Sequence, residues 1–238
     1  MQRPIDKLYL NGLTLPYRPF YRRYPFTSPV SIRSADDRGC VDLDVGFFCN
    51  RVPKAANSTV TTNLARLAFG EDVPSKLAKK RFTTPGRLTA RQIDAFDQLF
   101  KFTVVRNPYT RTLSAYLDKI ERRAERAGKD TSFKSFLLEL KQGALHSNAH
   151  WAPQRDLMLI PIGDFDVIGK VETLEQDLLR IKQTLQPDQA HPMTSFRNNA
   201  TGANQKLQTY YDNDCIDLVA EMYHGDFVAF DYPLTFPA

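Results

Sequence analysis

The chain has 238 residues, enough to bury one sizeable core, and its 32 lysines and arginines against 27 acidic residues give a net charge of +5. That surplus favours acidic partners. No basic run is long enough for a nucleic-acid arm, however, and no stretch has the apolar length of a signal peptide or membrane span. Three widely spaced cysteines, Cys40, Cys49 and Cys215, with no C-x-x-C pair, argue against a disulfide framework or a zinc site and suit a reduced, cytoplasmic protein.

In chain order, residues 1–44 are rich in proline, arginine and aromatics without clean periodicity and read as an irregular arm on a single domain, 45–238. A strand over 45–49 leads through a polar loop to a helix over about 58–69. The stretch "EDVPSKLAKKRFTTPGR" reads as a polar linker, and the next helix opens on a capping box of Thr89 and Gln92. Strand 101–105 precedes "RNPYTRTLSAYLDKI", where Asn107 is the N-cap, Pro108 the first helical residue, and Leu113, Tyr116, Leu117 and Ile120 share one face. Phe133, Phe136, Leu137 and Leu140 repeat that spacing. "DFDVIGKV" reads as a strand, "TLEQDLLRIKQTLQ" as a helix with a second capping box at Thr173 and Gln176, and 213–224 as a helix stopped by Gly225. Strands alternating with helices predict an α/β fold with a parallel sheet, whose ligands bind beyond the carboxyl ends of the strands.

Two loops leave strands at that edge. The first, "NRVPKAANST", is not a Walker A loop, because it contains no glycine. It places Lys54 before a helix start carrying Asn57, Ser58 and Thr59, so one anionic group could meet a cation, side-chain donors and backbone N–H groups together. In the second loop Arg106 leaves its strand, while Ser114 lies two helical turns beyond Asn107 and Arg111 one turn before Ser114. A guanidinium and a hydroxyl near a helix start make a second phosphate site. Taken singly, each residue also fits a plain surface role.

Together these segments resemble sulfotransferases that use 3′-phosphoadenosine 5′-phosphosulfate (PAPS). "NRVPKAANST" is similar to their 5′-phosphosulfate loop, and the "RVPK" within it to heparan sulfate 2-O-sulfotransferase. "R-N-P-x-x-R-x-x-S-A-Y" resembles the 3′-phosphate segment of the Golgi carbohydrate sulfotransferases that modify chondroitin, dermatan and the HNK-1 epitope. "HWAPQRDLM", "FDVIGKVETLEQDLLRI" and "YYDNDCIDLVAEMYHGDFVAFDY" extend the likeness in order to about residue 232. The family's membrane anchor and stem have no counterpart, which leaves the expectation of a cytoplasmic relative.

The resemblance implies a P-loop-NTPase-like sheet of sulfotransferase type, PAPS as donor, PAP as product, a glycan or other hydroxylated acceptor, and no metal. By position, Lys54 would contact the phosphosulfate and its bridging oxygen, with Arg51, Ala56, Asn57, Ser58 and Thr59 around it. Arg106 and Ser114 would hold the 3′-phosphate, and Arg197 and Lys206 in "SFRNNATGANQK" would close over the nucleotide. Residues 55–105 lack the histidine that some relatives use as general base. His150 beside Trp151 takes that role here, with His146, Glu71 and Asp72 as alternatives; Trp151 could stack on a sugar or fill the core. Two other classes share part of this layout, a nucleoside-phosphate kinase and a non-catalytic polyanion-binding module.

Overall fold

The computed structural model describes residues 13–122, 131–187 and 202–237. Its sheet comprises β1 (Gly39–Asp42), β2 (Phe47–Asn50), β3 (Phe100–Val105) and β4 (Val167–Lys170), in that spatial order. β2, β3 and β4 are parallel, with Phe47 opposite Phe100 and Phe102 opposite Val167, so their carboxyl ends at Asn50, Val105 and Lys170 lie along one edge. β1 runs antiparallel to β2, and Cys40 faces Cys49 as a pair of buried free thiols.

Side chains alternate across these strands and meet helices on both faces. Phe47, Cys49, Phe102 and Val104 pack against Val60 and Leu64 of α3 (Asn57–Phe69) and Leu178 and Ile181 of α8 (Leu174–Leu185). Val41 and Phe48 point the other way, onto Phe20 of α1 (Pro19–Arg23), Ala35 of α2 (Ile32–Asp36), Phe96 of α5 (Ala90–Asp97), and Leu159. A further aromatic cluster joins α6 (Pro108–Tyr116), α7 (Phe133–Glu139), α9 (Ala203–Tyr210), α10 (Asn213–Met222) and α11 (His224–Ala229) through Tyr109, Phe133, Phe136, Leu207, Val219 and Phe227. Burial of each such side chain contributes about 1.5–3 kcal/mol, which is what holds α6 rigidly at the sheet edge.

The expected α/β class is the one the chain adopts, and its elements follow local rules. Thr89 and Gln92 form the capping box of α5, and Asn107 caps α6 by accepting from Tyr109 N at 3.0 Å. The sheet is mixed rather than wholly parallel, because β1 lies in a segment that reads as irregular: four residues between charged neighbours give no alternation until β2 supplies a register. The stretch read as a linker contains α4 (Ser75–Arg81), whose only buried residue is Ala78, too little for a visible apolar stripe. Thr173 and Gln176 do not form a capping box. Instead Thr173 Oγ1 and Lys170 N both donate to Asp177 Oδ2, at 2.7 and 2.8 Å, since a carboxylate is a stronger acceptor than an amide. Gly225 does not stop a helix either. It lies within α11, where a Cβ would come 2.5 Å from an Arg155 guanidinium nitrogen, so the glycine permits a close approach. Among the described residues no helix is long and apolar enough to cross a membrane.

Candidate active site

The loop from β2 to α3 is strained. Lys54 and Ala56 have φ of +68° and +51°, left-handed values that cost non-glycine residues roughly 1–3 kcal/mol each and persist only where the surroundings impose them. Those surroundings are two arginines from the second loop. Arg111 Nε donates to Pro53 O at 3.0 Å, and an Arg106 guanidinium N–H donates to Lys54 O at 3.3 Å. Both sequence-predicted loops are thereby in direct contact. Ala56, whose methyl cannot act as a cap, stands at the N-cap position of α3, and Asn57, Ser58 and Thr59 form the first turn just beyond Lys54, where helix N–H groups carry partial positive charge.

The cations divide by what they touch. Arg111 is 1% exposed and its guanidinium also donates to Ala152 O at 2.9 Å and Ala149 O at 3.1 Å. It clamps the loop 148–152 to the β2–α3 loop and is a structural residue. Arg51 is buried as well, donating to Asn57 Oδ1 at 3.3 Å and to Asp37 O. It shapes the helix start from beneath. The buried Nε atoms of Arg51 and its neighbour Arg38 lack a hydrogen-bond partner among the described residues, an excess of positive donors beside the loop. Arg106 is less enclosed, with Nε on Thr110 Oγ1 at 2.9 Å and a terminal N–H on Asn204 Oδ1 at 2.6 Å. Ser114 is buried on α6.

Lys54 itself is paired with Asp118, at 3.2 Å, with its side chain 11% exposed. Burial pulls its pKa below the ordinary lysine value; Asp118 opposes that shift, while Lys119 and Arg106 reinforce it. Asp118 lies in a π-helical turn, Leu117–Glu121, that continues α6. Such turns insert an extra residue into the helix and are frequent at functional sites.

His150 is half-buried and faces the same group. Asn148 Oδ1 accepts from the His150 backbone N–H at 3.0 Å and from its ring Nδ1 at 2.8 Å, which fixes the proton on Nδ1 and leaves the Nε2 lone pair available. Its pKa is pulled down to about 3, first by burial and then by the charges of Lys119, Arg38, Lys54 and Arg111. The other expected bases are elsewhere. Glu71 and Asp72 pair with Arg81 and Arg66 beyond the far end of the 13-residue α3, about 20 Å along the helix from the loop, and His146 is bonded to Asp156 at 2.9 Å. Trp151 fills the core: its Nε1 donates to Ala144 O at 3.0 Å and its ring packs edge-on against Phe136.

Arg197 lies outside the described residues. Lys206 is exposed on α9, whose start reaches Arg106 through Asn204. Besides Asn204, sequence reasoning missed Asp118 and Gln154. Gln154 grips Arg106 at both ends of its peptide unit, Oε1 accepting from Arg106 N at 2.9 Å and Nε2 donating to Arg106 O at 2.8 Å. The buried Asp226 in turn accepts from Gln154 N and Arg155 N at 2.7 and 2.9 Å. The helix spacing that marks Ser114 also marks Asp118, one turn further on; nothing in the sequence links Gln154 to Arg106.

The strained loop that carries Lys54 and leads into α3 thus lies against the loop that carries Arg106 and leads into α6. The chain belongs to the sulfotransferase family, which it matches over residues 40–233 and whose members use PAPS as sulfuryl donor and release PAP. It is 27% identical over 169 residues to mouse (Mus musculus) carbohydrate sulfotransferase 12, a match covering 56% of this chain and 40% of that protein, so the chain spans under half the length of that curated relative. No solved structure matches the chain. The family match disfavours the kinase and polyanion-module alternatives.

Proposed function

We propose that this chain transfers a sulfuryl group from PAPS to a hydroxyl of a carbohydrate, releasing PAP. The observation that carries the reading is the contact between the two loops, in which Arg106 and Arg111 hold the backbone of Pro53 and Lys54. It brings the two candidate anion-binding loops into contact, which suits a nucleotide with anionic groups at both its 3′ and 5′ positions. The likeness to a carbohydrate sulfotransferase supports a sugar hydroxyl as acceptor.

When bound, PAPS supplies the sulfuryl group and a phosphate oxygen that departs with negative charge. Lys54 meets that charge with an ammonium, helped by the α3 N–H groups and by Asn57, Ser58 and Thr59; such a contact is stronger in the transition state than in the ground state. Arg106 and Ser114 hold the 3′-phosphate, and Asn204 steadies Arg106; the resemblance adds Lys206 and Arg197 as further contacts to the nucleotide. Arg51 and Ala56 act on the loop's shape. His150 Nε2 takes the proton of the acceptor hydroxyl. Lys54 is one of the cations that depress its pKa, so a donor anion on that ammonium raises the basicity of His150 as the site fills. A cytoplasmic location fits the buried, free thiols of Cys40, Cys49 and Cys215.

Incubation with radiosulfate-labelled PAPS and a panel of uronic-acid-containing and neutral glycans tests the reading. The expected result is labelled glycan and PAP in equal amounts. PAP release with no labelled glycan would remove the carbohydrate acceptor, and absence of both products would contradict the transfer.

A further inference from the structure

Asp118 is paired with Lys54, and the reading above leaves it without a task. Its carboxylate receives Lys54 at 3.2 Å, Lys119 at 3.2 Å and Arg122 at 3.1 Å. It stands four residues beyond Ser114, so one helix and its π-helical continuation carry the residue for the 3′-phosphate and the partner of the lysine. The lysine backbone is already fixed by Arg106 and Arg111. What remains to be set is where its ammonium points and whether it keeps its proton.

Both are at risk without a counter-charge. Lys54 is largely withdrawn from water, and the charged groups facing it are Arg106 from the loop after β3, Lys119 from the π-helical turn, and His150 from the loop 148–152, which feels its charge. Two of those are permanent cations, and burial acts in the same direction, against the ammonium form. Asp118 is the group acting the other way. Burial pushes its own carboxyl up, but Lys54 and Lys119 together hold it below the ordinary carboxylate range. With three cations on one carboxylate, the neighbourhood keeps a positive surplus and remains receptive to an anion.

We propose that Asp118 is a positioning residue, the counter-ion that keeps Lys54 protonated and aimed along α6 until the donor's phosphosulfate takes over the ammonium. The proposal rests on the sulfotransferase reading for what Lys54 does once the donor is bound, but the protonation of Lys54 can be read without any turnover.

The experiment is trace acetylation of the unliganded full-length protein with acetic anhydride, reading Lys54 by peptide mass spectrometry across pH, for wild type, Asp118→Asn and Asp118→Glu. In Asp118→Asn the lysine loses the opposing charge of Asp118, so its reactivity at a fixed pH should rise several-fold and its titration should move to lower pH. Asp118→Glu, which keeps the charge, should stay near wild type. In turnover, the alkaline limb of the pH profile should move to lower pH in Asp118→Asn alone, while PAP binds at least as tightly, because a negative charge has left an anion site. A merely structural role predicts weakened PAP binding and an unmoved limb. Lys54 reactivity that is the same in wild type and Asp118→Asn overturns the proposal, as does an Asp118→Glu protein that behaves like the asparagine variant. A wild type that shows the labelling difference but no preference for a 3′-phosphate would overturn the sulfotransferase reading instead.

Discussion

The two sides of α6 handle positive charge in opposite ways. On the inward side Arg111 is fully enclosed and its guanidinium is met by the carbonyls of Pro53, Ala149 and Ala152, neutral acceptors that no ligand can displace. On the outward side Lys54 rests on the partly exposed Asp118, and Arg106, besides one N–H on Lys54 O, donates to the side chains of Thr110 and Asn204. A cation locked by backbone carbonyls alone builds the frame; a cation held partly by replaceable side chains is available to a substrate. Residue type does not separate these roles, since Arg106 and Arg111 are both arginines in one segment. Their partners do.

Removing the frame should have the largest effect. Arg111→Leu leaves three carbonyls without their donor and releases the strained Pro53–Lys54 backbone; a loss of about 3–5 kcal/mol of stability is expected by urea denaturation, with PAP binding lost as well. A variant that unfolds at the wild-type midpoint would show that the clamp is incidental. Next comes Lys54→Ala, which should unfold normally and still bind PAP while turnover falls by roughly 10²–10³, the scale for losing one donor to a developing oxyanion. Equal losses in binding and turnover would place Lys54 with the nucleotide rather than with the leaving oxygen.

His150 sharpens the comparison through pH. In the free enzyme its pKa of about 3 leaves it neutral across the working range, so kcat/KM for PAPS should show no histidine limb near pH 6.5. In the donor complex the charge of Lys54, one of the cations around it, is compensated, so the acid limb of kcat should lie at higher pH than that of kcat/KM. Stability carries the same signature. An unfolded chain protonates this histidine near 6.5 and the folded one only near 3, so its contribution is intact above about 6.5 and is lost as pH falls from there toward 3. His150→Gln should therefore flatten the fall of the urea midpoint over that window, by a smaller amount than either substitution above. An unchanged slope would mean that the imidazole is open to water and not enclosed by the cation group.

The sequence disclosed what local chemistry determines. Asn107 and Pro108 start α6, and Thr89 and Gln92 start α5, both within a few residues of chain. The lysine of a glycine-free loop also stood out, although the left-handed backbone at Lys54 and Ala56 that gives the loop its shape did not, because neither residue favours that conformation. Long-range partners were out of reach. That Arg111 faces carbonyls rather than phosphate, that Gln154 and Asp226 brace Arg106, and that Glu71 and Asp72 sit at the wrong end of α3 all depend on how the helical cluster closes over the sheet. β1 and α4 were missed for a related reason: a four-residue strand and a helix with one buried alanine have almost no pattern of their own and exist through their neighbours.

The central claim is that the outward side of α6 reads a 3′-phosphate while Lys54 waits at the other end of the same nucleotide. Calorimetric titration of the full-length protein with PAP and with 5′-AMP tests this most directly, because the ligands differ at the 3′ position alone. PAP should bind much more tightly, and Arg106→Ala should erase most of the difference, about 1.5–3 kcal/mol for a charge-assisted contact to phosphate. Equal affinity of the wild-type protein for the two nucleotides would contradict the account.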